Sequence, residues 1–349
     1  MLKQVTLGSK TVPVPIIQGG MGIGISMANL ASAVMKEGGI GVISAAMPGF
    51  DEPDFATNPV QANIRALKRE IQHAKQTPGI LGVNVMVAAQ HYDLYVNTAI
   101  EAGADLIISG AGLPLQLPEY VNGRCMMAPI VSSAKAAKVI LSMWDRHHHV
   151  IPDAIIMEGH EAGGHLGFKK EDLQNHTCQS NEAILKEVLD VVKPFETKYN
   201  KHIPLFVAGG IYSHEDIIHF MNLGADGVQM ATRFIATKEC DAATGFKEMI
   251  VHAKREDIVL VKSPAGMPGR AIRNSFVRQM ENGEPQTITK CYGCMVPCNP
   301  ASTPYCITRA LIHAAKGDTE NGLFFTSTSA ARIDHISDVH SLMKELIGE

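Results

Sequence analysis

Residues 204–233 read PLFVAGGIYSHEDIIHFMNLGADGVQMATR and contain one structural period of the chain. The apolar run PLFVA (204–208) is followed by two glycines, a helical segment and a small-residue turn, after which a second apolar run, DGVQM (226–230), begins. Nearly continuous apolar runs of this length are typical of parallel strands buried on both faces. The stretch therefore predicts a strand, a crossover helix and a neighbouring parallel strand.

The same period recurs upstream, separated by helical segments such as ANLASAVMKEGG and SSAKAAKVILSMWDRH. Six further strands are predicted there: VPIIQ (14–18), IGVIS (40–44), LGVNVM (81–86), DLIIS (105–109), MMAPIV (126–131) and AIIME (154–158). Eight β/α units in succession predict an α/β fold, a (β/α)8 TIM barrel over residues 1–235. A doubly wound parallel sheet is the competing interpretation.

The β/α rhythm stops after the eighth strand. We expect residues 236–306 to form a smaller helical domain that is inserted after strand 8, packs over the barrel mouth and contains no clear strand. Its last part, 291–306, is rich in cysteine. Residues 307–349 begin with the helical stretch ITRALIHAAKGD, which we expect to return to the barrel.

Composition limits the class of partner. The net charge of −4 over 349 residues gives no electrostatic reason to expect nucleic acid. Because no apolar run reaches about 18 residues, no membrane partner is expected. An odd number of cysteines, seven, and an N-terminus, MLKQVTLGSK, without a signal-peptide core favour a reducing, cytoplasmic location. The oligomeric state stays open, with a homodimer as one expectation.

The stretch MEGHEAGGHLGF (157–168) resembles a zinc-protease motif but is one residue too long. Two histidines at i and i+5 on a helix point about 140° apart, so both rings cannot bind one metal ion. The glycine pair 163–164 also disfavours a helix. The stretch predicts a glycine-rich loop after a strand that brings a ligand close to its backbone; the alternative is a turn with solvated histidines.

Polar residues and glycines also follow the other predicted strands. In a barrel of this kind the carboxyl ends of the strands form the active-site face. The residues at this rim are Gln18, Gly19, Gly20, Met21, Asn84, Ser109, Gly209, Gly210, Gln229, Ala231 and Thr232.

The loops after strands 7 and 8 are where such barrels often bind phosphate. Gly209 and Gly210 allow close backbone approach, and Ser213 with Asp216 three residues later predicts a capped helix start. Ala231 and Thr232 stand at a second predicted helix start, where free amides favour an anion. Since neither a P-loop nor a G-x-G-x-x-G motif is present, a phosphate-bearing cofactor lying across the barrel top fits better than a nucleoside triphosphate.

The motifs PIIQGGMG, GVNVM, ISGAG, EGHEAGGHLG, FVAGGI and GADGVQMATRF, in this order, resemble the nitronate monooxygenase (2-nitropropane dioxygenase) family. This family includes flavin-dependent enoyl-ACP reductases and NAD(P)H:quinone reductases. PGRAIRN extends the resemblance beyond the barrel. The resemblance implies a barrel enzyme that binds FMN over its strand ends and acts on a small-molecule substrate.

The resemblance also implies roles for individual residues. His165 matches the catalytic histidine of the family, and Gly163 and Gly164 approach the flavin. The ring is lined by Gln18, Gly19, Gly20, Met21, Asn84 and Ser109. The phosphate is held by Gly209, Gly210, Ala231 and Thr232, beside Gln229.

Histidine suits the catalytic role. A neutral imidazole can abstract a proton next to a nitro group, or protonate or polarise an oxygen during reduction. Glu158, at the end of a strand, is expected to bond the flavin ring or its ribityl chain; the alternative is a buried carboxylate with a local partner. His160 is interpreted as a structural or rim residue.

The chain departs from the family pattern at two places. Ala231 stands where relatives usually have glycine, which crowds the phosphate site. The segment FFTSTSAAR (324–332) has serine and threonine where the enoyl reductases have a Gly-Gln pair. This second departure weakens a direct transfer of enoyl-ACP reduction.

Residues 291–306 read CYGCMVPCNPASTPYC, a C-x2-C-x3-C-x7-C spacing. It resembles the cysteine loop by which dienoyl-CoA reductases, another group of FMN barrels, hold a [4Fe–4S] cluster. Thiolates in a tight turn suit either iron–sulfur or tetrahedral zinc. A [4Fe–4S] cluster, a structural zinc ion and free or regulatory thiols stay open at Cys291, Cys294, Cys298 and Cys306.

Three functions follow from these observations. The first is an FMN-dependent monooxygenase that oxidises nitronates or nitroalkanes. The second is an NAD(P)H-dependent flavin reductase of an enone, a quinone or an enoyl thioester such as enoyl-ACP. The third is a non-redox, phosphate-binding barrel enzyme, although no lysine stands at a strand end to form the Schiff base of an aldolase. We favour the first.

Overall fold

The computed structural model describes residues 2–349. Its strands are β1 (Val5–Leu7), β2 (Lys10–Val12), β3 (Ile16–Gln18), β4 (Ile40–Ser44), β5 (Ile80–Met86), β6 (Leu106–Gly110), β7 (Met126–Val131), β8 (Ile155–Glu158), β9 (Gly164–His165), β10 (Leu205–Ala208), β11 (Gly227–Met230), β12 (Ile258–Lys262) and β13 (Pro268–Ile272). Its α-helices are α1 (Ala28–Lys36), α2 (Pro59–Ala74), α3 (Tyr92–Glu101), α4 (Leu117–Val121), α5 (Ala134–His148), α6 (Lys170–Gln174), α7 (Asn181–Tyr199), α8 (His214–Asn222), α9 (Thr232–Ile235), α10 (Thr244–Val251), α11 (Ser275–Glu281), α12 (Ile307–Ala315) and α13 (Val339–Ile347).

Eight parallel strands close into a barrel in the order β3, β4, β5, β6, β7, β8, β10, β11. The ring closes where β11 pairs with β3, with Val228 opposite Ile16. Helices lie between successive strands, as a (β/α)8 barrel requires. The predicted fold class is confirmed, and each of the eight predicted strands begins and ends within two residues of an observed one.

The barrel interior is filled by apolar side chains, among them Ile17, Val42, Ile108 and Phe206. The antiparallel hairpin of β1 and β2 packs Val5, Leu7 and Val12 into the same cluster. Its turn residue Gly8 lies against Met126, the first residue of β7, so the hairpin closes the amino-terminal end of the barrel. The hairpin was not predicted from the sequence.

The region after β11 contains helices, as expected, but it also contains two strands. β12 and β13 form an antiparallel hairpin, and the two-residue strand β9 joins its edge, with Gly269 opposite His165. The prediction that this region has no strand was wrong. The apolar run IVLV of β12 (258–261) lies outside the β/α repeat and was not recognised as a strand, and β13, PGRAI, contains proline, glycine and arginine.

The last segment of the chain contacts the outside of the barrel. Helix α13 packs against α1 and α8. Its Glu345 forms an ion pair with Arg233 at 2.7 Å, and the carbonyl of Leu346 lies 2.9 Å from Nδ1 of His214. Within residues 2–349, none of the helices combines the length and apolar character needed to cross a membrane.

Gly41 of β4 tests how closely helix α1 packs on the barrel. A Cβ at this position would overlap the carbonyl of Ala31 in α1, and a backbone group moves only with its helix. We expect Gly41→Ala to lower the free energy of unfolding by about 1–3 kcal/mol, measured by urea denaturation. The matched control is Gly82→Ala in β5, whose Cβ would meet the Val42 side chain at 3.1 Å. An equal loss in both variants would contradict this account.

Candidate active site

A cavity of about 380 Å³ opens at the carboxyl ends of the barrel strands. Residues from the barrel, from β9 and from the C-terminal segment line it together. The predicted site residues that line the cavity are Gly19, Gly20, Met21, Asn84, Glu158, Gly163, Gly164, His165, Gly209, Gly210, Gln229, Ala231 and Thr232.

Two predicted flavin contacts lie outside the lining of this cavity. Gln18 is fully buried, and its side-chain oxygen accepts a hydrogen bond from the amide of Val42. The hydroxyl of Ser109 donates to the carbonyl of Val85 and lies 2.7 Å from the hydroxyl of Tyr92. Both side chains support the barrel wall behind the cavity.

The strand β9 holds the predicted catalytic histidine at the cavity. His165 and Gly164 pair with Gly269 and Arg270 of β13, and the amide of Leu166 donates to the carbonyl of Pro268 at 2.9 Å. Gly164 has φ +70°, a conformation that glycine adopts without a steric penalty. The loop after β8 is therefore fixed as an edge strand of the β12–β13 hairpin.

Arg270 anchors the start of the same loop. Its buried guanidinium donates to the carbonyl of His160 at 2.8 Å and to that of Ala162. Burial lowers the pKa of Arg270 from its usual value, which lies so high that the side chain stays charged. A charged donor on two carbonyls is a strong restraint on the loop.

The ring of His165 faces the cavity and is otherwise enclosed by protein. Its Nε2 lies 2.7 Å from Oγ of Ser263, which also accepts from the amide of Ala265 at 3.1 Å. The ring of Phe325 meets it edge-on at 5.1 Å. Burial lowers the pKa of His165 to about 4, so its imidazole is neutral at physiological pH.

Glu158 lines the cavity at the end of β8. Burial raises the pKa of its carboxyl to about 7. No hydrogen bond joins this carboxyl to another group in the described part of the chain, so the local partner considered above is not present. A carboxyl that is partly protonated at neutral pH can donate to a bound molecule as well as accept from it.

The ends of β10 and β11 form a cradle of backbone and hydroxyl groups. Gly209 and Gly210 have φ +91° and +83° and line the cavity with Ala231. The hydroxyl of Thr232 donates to Oγ of Ser327 at 2.8 Å, and Ser327 lies 2.6 Å from Oγ of Ser329. These are neutral donors, which bind an anion through dipoles rather than through charge.

The predicted capped helix is confirmed at α8. The hydroxyl of Ser213 accepts from the amide of Asp216, and the Asp216 carboxylate accepts from the amides of Ser213 and Tyr212. These amides are already used within the protein. An anion in the cradle would therefore rely on the glycine loop before them and on the hydroxyl groups.

Unpaired polar atoms in the cavity wall also fit a phosphorylated flavin. Two buried polar atoms, Oε1 of Gln229 and Oγ1 of Thr326, have no hydrogen-bond partner in residues 2–349, and both residues line the cavity. A buried acceptor or donor without a partner costs about 1–3 kcal/mol, which a bound polar ring or ribityl chain would recover. Of the described residues, no lysine or arginine lines the cavity.

Sequence reasoning missed several parts of the cavity wall. The region 236–306 contributes Met267 and Met295, and the C-terminal segment contributes Leu311, Phe325 and Ser327. The only signal for them was the FFTSTSAAR segment, noted as a departure from the family. Met295 lies within the cysteine motif, but that motif gave no sign of a cavity position, and Met267 had no motif at all.

The four-cysteine loop reaches the cavity through two adjacent residues, Cys294 and Met295. Cys294 lines the cavity, whereas Cys291, Cys298 and Cys306 do not. All seven cysteines are free thiols. In the part of the chain that the structure describes, no three His, Cys, Asp or Glu side chains are gathered as a single metal ion would need.

His160, the other histidine of the glycine-rich loop, packs edge-on against Phe168 at 6.1 Å and does not line the cavity. It shares no site with His165. The loop is therefore not a zinc-protease motif.

The fold and the site define a (β/α)8-barrel enzyme with a neutral histidine beside a pocket suited to a phosphorylated cofactor. The family model "Nitronate monooxygenase" matches residues 4–349, and the chain belongs to this family. It is an FMN-dependent oxidoreductase.

Similar proteins agree with this assignment. The chain is 28% identical over 307 residues to a probable nitronate monooxygenase of Staphylococcus aureus strain Newman, covering 78% of this chain and 79% of that protein. FabK from Thermotoga maritima is similar in structure, with a TM-score of 0.72 and 27% identity over 96% of this chain and 92% of that one. Nitroalkane oxidase from Streptomyces ansochromogenes shares the fold, with a TM-score of 0.73 at 20% identity and 96% coverage of both chains.

Ser263 provides a test of how His165 is held. Ser263→Ala removes the group that fixes Nε2, and the loss of one such hydrogen bond is worth about 1 kcal/mol. We expect turnover to fall about fivefold with little change in flavin content, measured by steady-state kinetics and flavin absorbance. Ser263→Thr keeps the hydroxyl and should retain most of the turnover. Equal losses in both variants would assign Ser263 a packing role alone.

Glu158 should make stability depend on pH. Its folded-state pKa of about 7 lies above the usual 4.5, so its contribution is complete below about pH 4.5 and is lost as pH rises to about 7. Glu158→Gln removes this loss. We expect the free energy of unfolding of the flavin-free variant, relative to wild type, to rise by roughly 1–3 kcal/mol from pH 5 to pH 8 in urea titrations. If the difference in unfolding free energy between variant and wild type does not change with pH, the pKa of the Glu158 carboxyl is not raised.

Proposed function

We propose that the protein is a nitronate monooxygenase that oxidises nitronates or nitroalkanes with FMN bound across the barrel rim. The observation that carries the proposal is His165, a neutral imidazole held at the cavity with its Nε2 bonded to Ser263. Membership of the nitronate monooxygenase family supports the reaction class. Bound FMN would supply the electron transfer between substrate and dioxygen.

The residues that would hold FMN come from three parts of the chain. Gly209, Gly210 and the Thr232 and Ser327 hydroxyls would hold its phosphate. Gly20, Met21 and Asn84 would lie against the ring. Oε1 of Gln229 and Oγ1 of Thr326, which have no partner among the described residues, would form hydrogen bonds with the flavin. A Cβ at Gly20 would collide with Asn84, so this wall needs glycine.

His165 would act on the substrate proton. For base catalysis the imidazole carries its hydrogen on Nε2, and this N–H donates a hydrogen bond to Oγ of Ser263. Nδ1 is then free to accept a proton from the carbon next to the nitro group. Nδ1 has no hydrogen-bond partner in residues 2–349, which agrees with this tautomer. When the substrate is already a nitronate, the other tautomer would serve: Nε2 accepts from the hydroxyl of Ser263, and Nδ1–H donates to a nitronate oxygen.

The alternative function is an NAD(P)H-dependent flavin reductase of an enoyl-ACP, an enone or a quinone. The apolar wall formed by Met267, Met295 and Leu311 favours it, because such substrates need apolar contacts. NAD(P)H belongs to this reaction as the reductant. Zinc or an iron–sulfur cluster at the cysteine loop is required by neither reaction.

The free state of all seven cysteines supports a further part of the proposal, a cytoplasmic location. The substrate in either reaction is a small molecule.

Substitution of His165 tests the proposal. His165→Ala should lower turnover with nitronates or nitroalkanes by roughly 10²–10⁴-fold and leave FMN bound. The matched control is His160→Ala, because His160 lies in the same loop and outside the cavity; its turnover should stay within a factor of about three.

Anaerobic mixing separates the two functions. Flavin absorbance should bleach with a nitronate and should not bleach with NADH or NADPH. Rapid bleaching by NAD(P)H with no reaction toward nitronates would favour the reductase. A purified protein that binds no flavin after reconstitution would contradict both functions.

A further inference from the structure

The side chain of Asn181 links the first turn of α7 to the loop at the end of β10. Asn181 is the first residue of this helix, and Ser180 caps it by accepting from the amide of Ala183 at 3.3 Å. Nδ2 of Asn181 donates to the carbonyl of Gly209 at 2.7 Å, across 28 positions of sequence. Because Gly209 belongs to the cradle at the ends of β10 and β11, this contact bears on how the cradle is built.

The side-chain amide of Asn181 lies between two strand ends. A Cβ at Gly159, the residue after β8, would overlap Oδ1 of Asn181, so only glycine leaves the room that the amide occupies. Gly209 packs just as closely on the loop after β8. A Cβ there would lie 2.9 Å from the carbonyl oxygen of Gly159 and 3.0 Å from the amide nitrogen of Ala162. The backbone on both sides of the Asn181 amide is therefore fixed.

The hydrogen bonds of Asn181 are incomplete. A carbonyl oxygen only accepts, so the atom that faces Gly209 must be the amide nitrogen, and this requirement fixes the orientation of the side chain. Oδ1 then has no hydrogen-bond partner in residues 2–349, although the residue is buried. A buried acceptor without a partner destabilises a fold. The hydrogen bonding of this side chain therefore serves the carbonyl of Gly209.

The direction of the Gly209 carbonyl sets the direction of the next amide. The peptide bond between Gly209 and Gly210 is trans, so its C=O and N–H groups point in opposite directions. Gly209 and Gly210 line the cavity, whereas Asn181 does not. With its C=O group turned toward Asn181, the peptide presents the N–H of Gly210 on the opposite side, toward the cavity.

The amide of Gly210 is available to a ligand. It has no hydrogen-bond partner in residues 2–349, whereas the amides of Tyr212 and Ser213 donate to the carboxylate of Asp216. A glycine on each side of a peptide bond also makes rotation of that peptide sterically easy. The bond from Asn181 therefore selects one of two accessible orientations.

We propose that Asn181 is a positioning residue for the cofactor phosphate: it holds the carbonyl of Gly209 away from the cavity and so directs the N–H of Gly210 at the phosphate. The inference rests on the proposed function, which places the phosphate of FMN in the cradle. If the peptide turned over, a carbonyl oxygen would face the phosphate, and an attractive dipole would become a repulsive one. Since no described lysine or arginine lines the cavity, such dipoles control the affinity for phosphate.

Titration of the flavin-free protein with FMN and with riboflavin tests the inference, because riboflavin lacks only the phosphate. Asn181→Leu keeps a side chain of similar size and removes the donor. We expect its Kd for FMN, measured by quenching of flavin fluorescence, to rise roughly 10- to 100-fold, the range for one hydrogen bond to a charged group. Its Kd for riboflavin should change by less than about threefold.

Ser180→Ala is the matched control. It removes the cap of the same helix without touching Gly209, so it shows what a weakened α7 does by itself. Its Kd values for both flavins should stay within about threefold of wild type. Circular dichroism identifies a variant that has failed to fold. If leucine prevents folding, Asn181→Ala, which is smaller, should show the same selective loss of FMN affinity.

Three results would overturn the inference. The first is an Asn181 variant that keeps the wild-type preference for FMN over riboflavin. The second is an equal loss of affinity for both flavins, which would assign Asn181 a packing role. The third is a selective loss of FMN affinity in Ser180→Ala as well, which would attribute the effect to the helix.

Nitronate oxidation, measured on the same preparations, separates this inference from the proposed function. A protein that oxidises nitronates, and whose Asn181 variants keep their preference for FMN, would reject the inference alone. A selective loss of FMN affinity in a protein that ignores nitronates would reject the proposed function alone. A wild-type protein that binds FMN no more tightly than riboflavin would reject the phosphate cradle itself.

Discussion

The pairing of two residues with the edge of a hairpin is the contact on which the site depends. Gly164 and His165 form the short strand β9, which pairs with β13. This pairing fixes the backbone of the glycine-rich loop and so the position of the His165 imidazole. Arg270, from the same strand β13, holds the preceding carbonyls. The barrel supplies most of the pocket, and the β12–β13 hairpin places the imidazole in it. The loop after β8 has further contacts at its two ends, where the amide of Gly159 donates to the carbonyl of Ala208 and the hydroxyl of Ser132 donates to the carbonyl of Gly167.

The barrel could be predicted because its strands are buried on both faces. Segments such as IGVIS and MMAPIV are apolar at nearly every position, and their observed bounds, 40–44 and 126–131, equal the predicted ones. The hairpin after β11 was missed for a different reason at each strand: the apolar run IVLV of β12 (258–261) stands outside the β/α repeat, and β13, PGRAI, contains proline, glycine and arginine. A search for the β/α repeat therefore finds the barrel strands and overlooks a hairpin that lies outside the repeat.

The site shows the same division. Residues at the ends of barrel strands could be located by counting strands, and Glu158, Gln229 and Thr232 lie where that count predicted. What the count could not decide was the direction of each side chain: Ser109 turns to Tyr92 and away from the cavity. Contacts between distant segments, such as His165 with Ser263 or Thr232 with Ser327, depend on tertiary packing and leave no trace in local sequence.

The electrostatics of the cavity bear on which substrate it accepts. Of the described residues, no lysine or arginine lines it, and burial keeps His165 neutral and leaves Glu158 partly protonated. A dianionic phosphate in the cradle would therefore be the largest charge present. An anionic nitronate that enters beside it meets no fixed cation, whereas a neutral nitroalkane is not repelled. Any negative charge that develops on the substrate would favour the imidazolium form of His165, since an adjacent anion raises the pKa of histidine. Among the described residues that line the cavity, His165 would therefore become positively charged only when the substrate carries negative charge.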